Sequence, residues 1–264
     1  MTLVGFIGVG NMGTAMIQGI ANRAQDVSLY AYDVDPSKID ALENSKINRV
    51  GSIQEICEKS KYIILAVKPQ YYPEVFKGVN NYLTKEHIII TIAPGYSIAK
   101  VKKYLGNVIK VVRAMPNTPA LVGEGMTAYC FVDDEMTSSE HDVIQALFSA
   151  FGKSVRIEEG NMEAIIATSG SSPAYAYLFI EAMADAAVSF GIGREDAYML
   201  AAQSLKGAAQ MVLETKKHPA QLKDDVCSPG GTTIQAVLKL EETQFRNSII
   251  KAMTANYDKA MSMN

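Results

Sequence analysis

Leu3-Val4-Gly5-Phe6-Ile7-Gly8-Val9-Gly10-Asn11-Met12-Gly13 runs an apolar segment straight into three glycines at G-x-G-x-x-G spacing, and Thr14–Ala24 continues in a helical pattern. Strand, glycine turn and helix in that order are the context in which this spacing carries meaning. The glycines have separable tasks. Gly8 makes the tight turn, Gly10 lets backbone approach a pyrophosphate, and Gly13 permits close packing of helix on strand. A pyrophosphate would rest on free N–H groups at the positive end of the helix dipole, so Gly8, Gly10, Asn11, Met12 and Gly13 are candidate cofactor residues. Asp33 ends the next β-rich run, 25 residues after Gly8. A carboxylate there accepts from adenosine ribose hydroxyls and repels a 2′-phosphate; its plainer reading is a turn residue. No arginine follows and Lys38 is the nearby cation. This tilts the choice toward NADH over NADPH, although a helix N-terminus at Pro36-Ser37-Lys38 offers another seat for a phosphate.

Working outward, the first part of the chain alternates strands with amphipathic segments. The candidate strands are Leu3–Ile7, Val27–Asp33, Tyr62–Val67, His87–Ala93, Val108–Met115, Gly125–Val132 and Ser154–Glu158. Ile63-Ile64-Leu65-Ala66-Val67 and Ile88-Ile89-Ile90-Thr91-Ile92 are apolar at successive positions, as in strands covered on both faces. Asp35-Pro36 reads as a cap before an N1 proline, and Ser138 with Glu140 opens another helix. The alternation predicts a doubly wound α/β layer. Past Gly160 the strands stop, which places a dinucleotide-binding domain at 1–160 and an all-α domain at 161–264. Helices are expected over Met162–Phe190, Arg194–Thr215, Thr232–Leu240 and Thr243–Met261, with breaks at Gly191-Ile192-Gly193, Lys217-His218-Pro219 and Ser228-Pro229-Gly230-Gly231. The alanines of the first two helices suit either ordinary close packing or an intersubunit bundle. About 100 residues of helix form a marginal domain alone, which favours dimerisation.

Composition sets the outer limits. The 264 residues are 48% hydrophobic and 20% charged with a net charge of −3, so the chain is globular and has no electrostatic reason to bind nucleic acid. The most apolar helical stretch, Ala174 to Phe190, carries Glu181 and Asp185, which argues against a membrane span. The start of the chain shows no basic segment, apolar core or cleavage site of an export signal. Three widely spaced cysteines (Cys57, Cys130, Cys227) argue against disulfides or zinc and suit a reducing cytoplasm. The three histidines form no cluster, and no metal-ligand spacing stands out.

In open α/β sheets ligands lie beyond the carboxyl ends of the strands. Ala66-Val67-Lys68-Pro69-Gln70, Ala93-Pro94-Gly95 and Arg113-Ala114-Met115-Pro116-Asn117-Thr118-Pro119-Ala120 fall there. Lys68 is either solvated or in contact with cofactor; Asn117 is either a turn residue or a hydrogen-bonding group for nicotinamide or substrate. Asp225-Val226-Cys227-Ser228-Pro229-Gly230-Gly231-Thr232-Thr233 opens a helix with two glycines and three hydroxyls. Such a start is either a well-capped helix or a seat for a small carboxylate. Cys227 lacks a neighbouring histidine and reads as an inert thiol.

Ala-Val-Lys-Pro at 66–69, Arg-Ala-Met-Pro-Asn-Thr-Pro at 113–119, Ser-Gly-Ser-Ser-Pro-Ala-Tyr at 169–175 and the segment His218 to Thr233 together resemble the pyrroline-5-carboxylate reductases over essentially the whole chain. The resemblance implies a Rossmann domain followed by a helical dimerisation domain, with homodimers assembled into a homodecamer. It implies reduction of the cyclic imine L-1-pyrroline-5-carboxylate to L-proline with NADPH or NADH as cofactor. By position, Ser228, Gly230, Gly231, Thr232 and Thr233 would seat the substrate carboxylate and ring nitrogen, with Thr233 nearest the imine nitrogen as the catalytic hydroxyl. Ala66, Val67, Lys68, Pro69, Asn117 and Thr118 would line the cofactor–substrate side. One departure is Ser172, where the family usually has glycine; a required positive φ there would cost roughly 1 kcal/mol or more, and an adjustment of helix packing is expected. A β-hydroxyacid dehydrogenase shares the layout but needs a lysine early in the helical domain, and none lies between Lys153 and Lys206. An imine reductase for other cyclic imines and a dinucleotide-binding regulator without turnover are the remaining alternatives.

Overall fold

The computed structural model describes residues 1–42 and 46–263. Two compact units emerge, Met1–Ser171 with Asn256–Asn264, and Ser172–Ala255. In the first unit, strands β1 (Thr2–Ile7), β2 (Val27–Tyr32), β3 (Ile47–Arg49), β4 (Tyr62–Leu65), β5 (Ile88–Thr91), β6 (Lys110–Met115), β7 (Gly125–Cys130) and β8 (Gly152–Arg156) form one sheet in the order β3-β2-β1-β4-β5-β6-β7-β8. The strand order reverses at β1, between β2 and β4, which puts the carboxyl end of β1 at a topological switch point. All pairings are parallel except β6 with β7.

Helices α1 (Asn11–Arg23), α2 (Ser37–Asp40), α3 (Ile53–Lys59), α4 (Tyr72–Asn80), α5 (Ile98–Leu105), α6 (Ser138–Ser149) and α7 (Met162–Ile165) belong to this unit. The consecutive apolar residues of the strands divide between two cores. Val4, Phe6, Tyr62, Ile64, Ile88, Ile90 and Val112 face one, while Ile7, Ile63, Leu65, Ile89 and Val111 face the other. Each fully buried Ile or Leu gains about 1.5–3 kcal/mol over an exposed one, so a slip by one residue would exchange two filled layers.

Several local expectations change. β3, only three residues long, was absent from the predicted strands. The segment at Asp35-Pro36 forms a single four-residue turn, α2. Thr137, not Ser138, caps α6 in a capping box with Glu140. The long helix expected from Met162 is interrupted: α7 passes into a π-helical turn at Ile166–Gly170 before α8 (Ser172–Ser189). Ser172, at the start of α8, avoids the positive-φ region, so its Cβ carries none of the strain considered for it. The loss of strands suggested a boundary at 160/161, yet residues to Ser171 stay with the sheet. Met162 is buried in its second core and Glu163 pairs with Arg113 of β6.

The second unit contains α8, α9 (Arg194–Thr215), α10 (Pro219–Val226), α11 (Thr232–Glu242) and the start of α12 (Phe245–Met261). The break expected at Lys217-His218-Pro219 separates α9 from α10, a helix absent from the expected set that starts at Pro219 itself. Proline occupies the N1 position and the His218 ring accepts from the Ala220 N–H at 3.1 Å. α8 and α9 pack together, and Phe179 meets Phe245 with ring centroids 5.8 Å apart. Among the described residues of this unit, the buried positions are all alanine: Ala184, Ala197 and Ala201. Leu178, Met199, Leu213 and Ile250 are exposed. Among the described residues no helix is long and apolar enough to cross a membrane.

Candidate active site

The carboxyl ends of β1, β4, β5 and β6 surround a cleft of about 520 Å³. Its floor is the glycine turn. Gly8 adopts φ +102°, and a Cβ there would lie 2.8 Å from the Ala66 carbonyl carbon. Gly13 lies so close beneath it that a Cβ would approach the Gly8 carbonyl oxygen to 2.5 Å, while a Cβ at Gly10 would meet nothing within 4 Å. One glycine makes the turn, one packs, and the middle one leaves open space. Gly10 is the N-cap of α1 and no side chain caps that helix, so the first N–H groups of Asn11 and Met12 face the cleft as donors for an anion.

Ala66, Val67, Lys68 and Pro69 form the opposite wall. Hydrogen bonds hold this segment from both sides. Tyr72 Oη donates to the Leu65 carbonyl at 2.7 Å, and Tyr96 Oη donates to the Pro69 carbonyl at 3.2 Å. Burial pushes the Tyr72 phenol up, so it remains a donor. The Lys68 ammonium is exposed and pairs with no carboxylate among the described residues. Ile92, Ala93, Pro94 and Pro116 complete the cleft.

Val67 also borders a second cavity of about 260 Å³, where Asp33 joins Tyr32, Val34, Tyr71 and Glu74. The Asp33 carboxylate accepts from the Val9 N–H at 2.7 Å, the Asp35 N–H at 2.9 Å and Lys38 Nζ at 3.0 Å. Burial alone would raise its pKa, but the Val9 and Asp35 N–H groups and Lys38 outweigh it and hold the carboxyl below the usual carboxylate range.

Asn117 is buried and bridges distant segments. Its Oδ1 accepts from the Met126 N–H at 2.8 Å and its Nδ2 donates to the Ser169 carbonyl at 3.0 Å. Its side chain therefore ties the loop after β6 to the π-helical turn, leaving one amide hydrogen for any other partner. Thr118 begins the short 3₁₀ segment that follows.

Sequence reading missed a neighbouring device. Arg113, 2% exposed, donates to Glu163 at 2.6 Å and lies 3.6 Å from Glu159, whose carboxylate also accepts the Ile98 N–H at 2.7 Å. Arg113 stood inside a noted motif, but nothing local identified an acidic partner 50 residues along. Cys57 and Cys130 are buried and burial raises both thiols, to about 11 and about 12, so neither is a nucleophile at neutral pH.

In the helical unit, Ser228, Gly230, Gly231, Thr232 and Thr233 gather at the start of α11. Gly230 takes φ +69°, and the Gly231 N–H donates to the Ser228 carbonyl at 3.0 Å. A Cβ on Gly231 would meet Ser228 Oγ at 2.4 Å. No side chain caps α11. Among the described residues the hydroxyls of Ser228, Thr232 and Thr233 have no hydrogen-bond partner. Uncapped N–H groups beside three free hydroxyls form a donor-rich surface suited to a small carboxylate. Cys227 next to it is half-buried.

Comparison with known proteins agrees with both halves. The family described as pyrroline-5-carboxylate reductase dimerisation matches residues 159–263, and that described as NADP oxidoreductase, coenzyme F420-dependent, matches residues 3–95. A pyrroline-5-carboxylate reductase of Escherichia coli is 44% identical over 263 residues, covering 97% of this chain and 96% of the relative. The crystal structure of the Plasmodium falciparum pyrroline carboxylate reductase with NADP bound superposes with TM-score 0.88 at 34% identity, covering 99% and 98% of the two chains. The Coxiella burnetii pyrroline-5-carboxylate reductase gives 0.90 at 32% identity, with 99% and 98% covered.

Proposed function

This chain belongs to the pyrroline-5-carboxylate reductase family, and from that premise we propose that its sheet unit holds NADPH or NADH while its helical unit seats L-1-pyrroline-5-carboxylate for reduction to L-proline. The observation that carries the reading is the turn from Ser228 to Thr233, whose three hydroxyls and uncapped helix-start N–H groups are available to a carboxylate and a ring nitrogen, the Gly231 N–H being held by the Ser228 carbonyl.

The residues present suit the dinucleotide. The open space over Gly10 and the uncapped start of α1 would accept a pyrophosphate on the Asn11 and Met12 N–H groups. Asp33 would face the adenosine ribose, and Ala66, Val67, Lys68, Pro69 and the Asn117 loop would line the nicotinamide side. When bound, the reduced nicotinamide supplies the hydride. Reduction places that hydride on the imine carbon of the ring, which becomes C5 of the product proline, and a proton on its nitrogen, so the C=N bond becomes CH–NH. A protonated imine is already electrophilic and needs no strong acid. The chain's contribution is orientation, which supplies several kcal/mol of barrier lowering in well-aligned reactions. Ser228, Gly230, Gly231 and Thr232 would fix the carboxylate. Thr233 would hydrogen-bond the nitrogen and relay a proton from solvent. We further propose a cytoplasmic homodimer, with dimers gathered into a homodecamer; the apolar side chains exposed on the helical unit support association.

Replacing Thr233 by valine keeps the shape and removes the hydroxyl. Turnover should fall by about 100-fold or more while the NADH dissociation constant stays within twofold; unchanged turnover would remove Thr233 from the mechanism.

A further inference from the structure

We propose that Asn117 is a positioning residue for the nicotinamide side of the cleft and not a ligand of the cofactor, its side chain standing in for backbone bonds that Pro116 and Pro173 cannot make. The inference rests on the reading that the cleft binds a nicotinamide dinucleotide. It starts from the end of β6. That strand pairs antiparallel with β7, Met115 opposite Ala128, and the same register carried two residues on sets Asn117 opposite Met126. The ladder stops at Met115, ahead of Pro116, which has no N–H to offer a partner strand. The Asn117 backbone stays extended, at φ −129° and ψ 166°, and its side chain continues the pairing: Oδ1 accepts the Met126 N–H at 2.8 Å.

The other end of the amide answers a second proline. In a regular helical ladder the Ser169 carbonyl would receive the N–H of the residue four positions on. That residue is Pro173, which has none. The chain makes a π-helical turn at Ile166–Gly170, the Ser171 N–H reaching the Ile166 carbonyl at 2.8 Å, and the Ser169 carbonyl accepts from Asn117 Nδ2 at 3.0 Å. An acceptor and a donor on separate atoms of so short a side chain are what asparagine alone provides. Both bonds hold backbone, and Asn117 is buried. What they fix is the wall of the cleft: Pro116, next to Asn117, lines it, and Gly170 packs on Met115, where a Cβ would lie 3.7 Å from Met115 Cγ. π-turns recur at functional sites, and here the turn is fastened to the segment that borders the nicotinamide side. Asn117 thus acts on the cofactor through the placement of Pro116, as a supporting group does for the residues that make contact.

The test is fluorescence titration and steady-state kinetics on the intact protein, with the tighter-binding of NADH and NADPH. Asn117→Asp keeps the size and the acceptor for Met126 but turns a second oxygen toward the Ser169 carbonyl. The dissociation constant and KM for the dinucleotide should rise about tenfold, more than kcat falls. Pro173→Ala returns an N–H to the Ser169 carbonyl, so Asn117→Asp in that background should bind within about threefold of Pro173→Ala alone. An affinity that Asn117→Asp leaves unchanged makes the residue purely structural, and a loss equally large in both backgrounds makes it a direct ligand; either overturns the inference and leaves the reductase reading intact. If Asn117→Asp alone does not fold, the double variant against Pro173→Ala decides by the same threefold limit. Failure of the unsubstituted protein to bind either dinucleotide overturns that reading and this inference with it.

Discussion

At the scale of single residues, the glycine turn separates folding from binding. Gly13 has no room for a methyl group and Gly10 has nothing around one. Gly13→Ala should therefore lower stability by about 1–3 kcal/mol. Gly10→Ala should leave the unfolding midpoint within a degree or two and weaken NADH roughly tenfold, because the methyl group occupies the approach to α1. Thermal unfolding and fluorescence titration of both variants check the pair; a stable Gly10→Ala protein with full NADH affinity would show that the pyrophosphate rests elsewhere. These tasks were legible in the sequence because a turn of six residues is governed by local sterics. The tasks of Asn117 were not: its partners Met126 and Ser169 lie 9 and 52 residues on, and only the tertiary fold brings them together. Asp35, read as a cap before Pro36, does accept from the Ser37 N–H two residues on, a local bond of the kind short sequence signals announce.

At the scale of elements, two ion-pair clusters fasten helices to the sheet. Glu140 at the start of α6 sits in a capping box with Thr137 and accepts from Lys110 and Lys61, each at 2.8 Å. Burial opposes its ionisation, but Lys110, Lys61 and the Thr137 N–H outweigh it and bring the carboxyl down to about 2. A depressed folded-state pKa stabilises the native state above the unfolded value, near 4.3, and that stabilisation is lost as pH falls through the folded value. Urea unfolding of the native protein and Glu140→Gln should differ by about 2–3 kcal/mol at pH 7, with the gap closing between about pH 5 and pH 2; a gap independent of pH would assign the loss to packing. The second cluster joins β6 to the segment around α7. Arg113→Met leaves Glu163 buried without its guanidinium and should cost about 3–5 kcal/mol in the same measurement. Long periodic elements such as Arg194–Thr215 were readable end to end. The misreadings fell where signals are short or two-sided: β3 has three residues, and a proline marks a helix start at Pro219 as readily as a break.

At the scale of the molecule, the two units bury different things. The sheet unit has full apolar cores on both faces, which the unbroken isoleucine runs announced. The helical unit buries only alanines among its described residues and leaves Leu178, Met199, Leu213 and Ile250 exposed. The alanine richness was visible in the sequence. Its consequence, an interior too thin to hold these helices together alone, needed the packing to be seen. If a second copy completes this unit, native-state association makes the unfolding midpoint rise with protein concentration; a midpoint unchanged over a hundredfold dilution, with a monomeric mass by light scattering, would contradict the proposed homodimer.

The central claim, hydride delivery to a cyclic imine carrying a carboxylate, is tested most directly by following reduced-nicotinamide absorbance on adding racemic pyrroline-5-carboxylate to the purified protein, with L-proline quantified in the same vessel. The account predicts saturable loss of NADH, up to half of the racemate consumed, and one L-proline formed per NADH oxidised. Dinucleotide binding without oxidation, or oxidation that yields no proline, would contradict it.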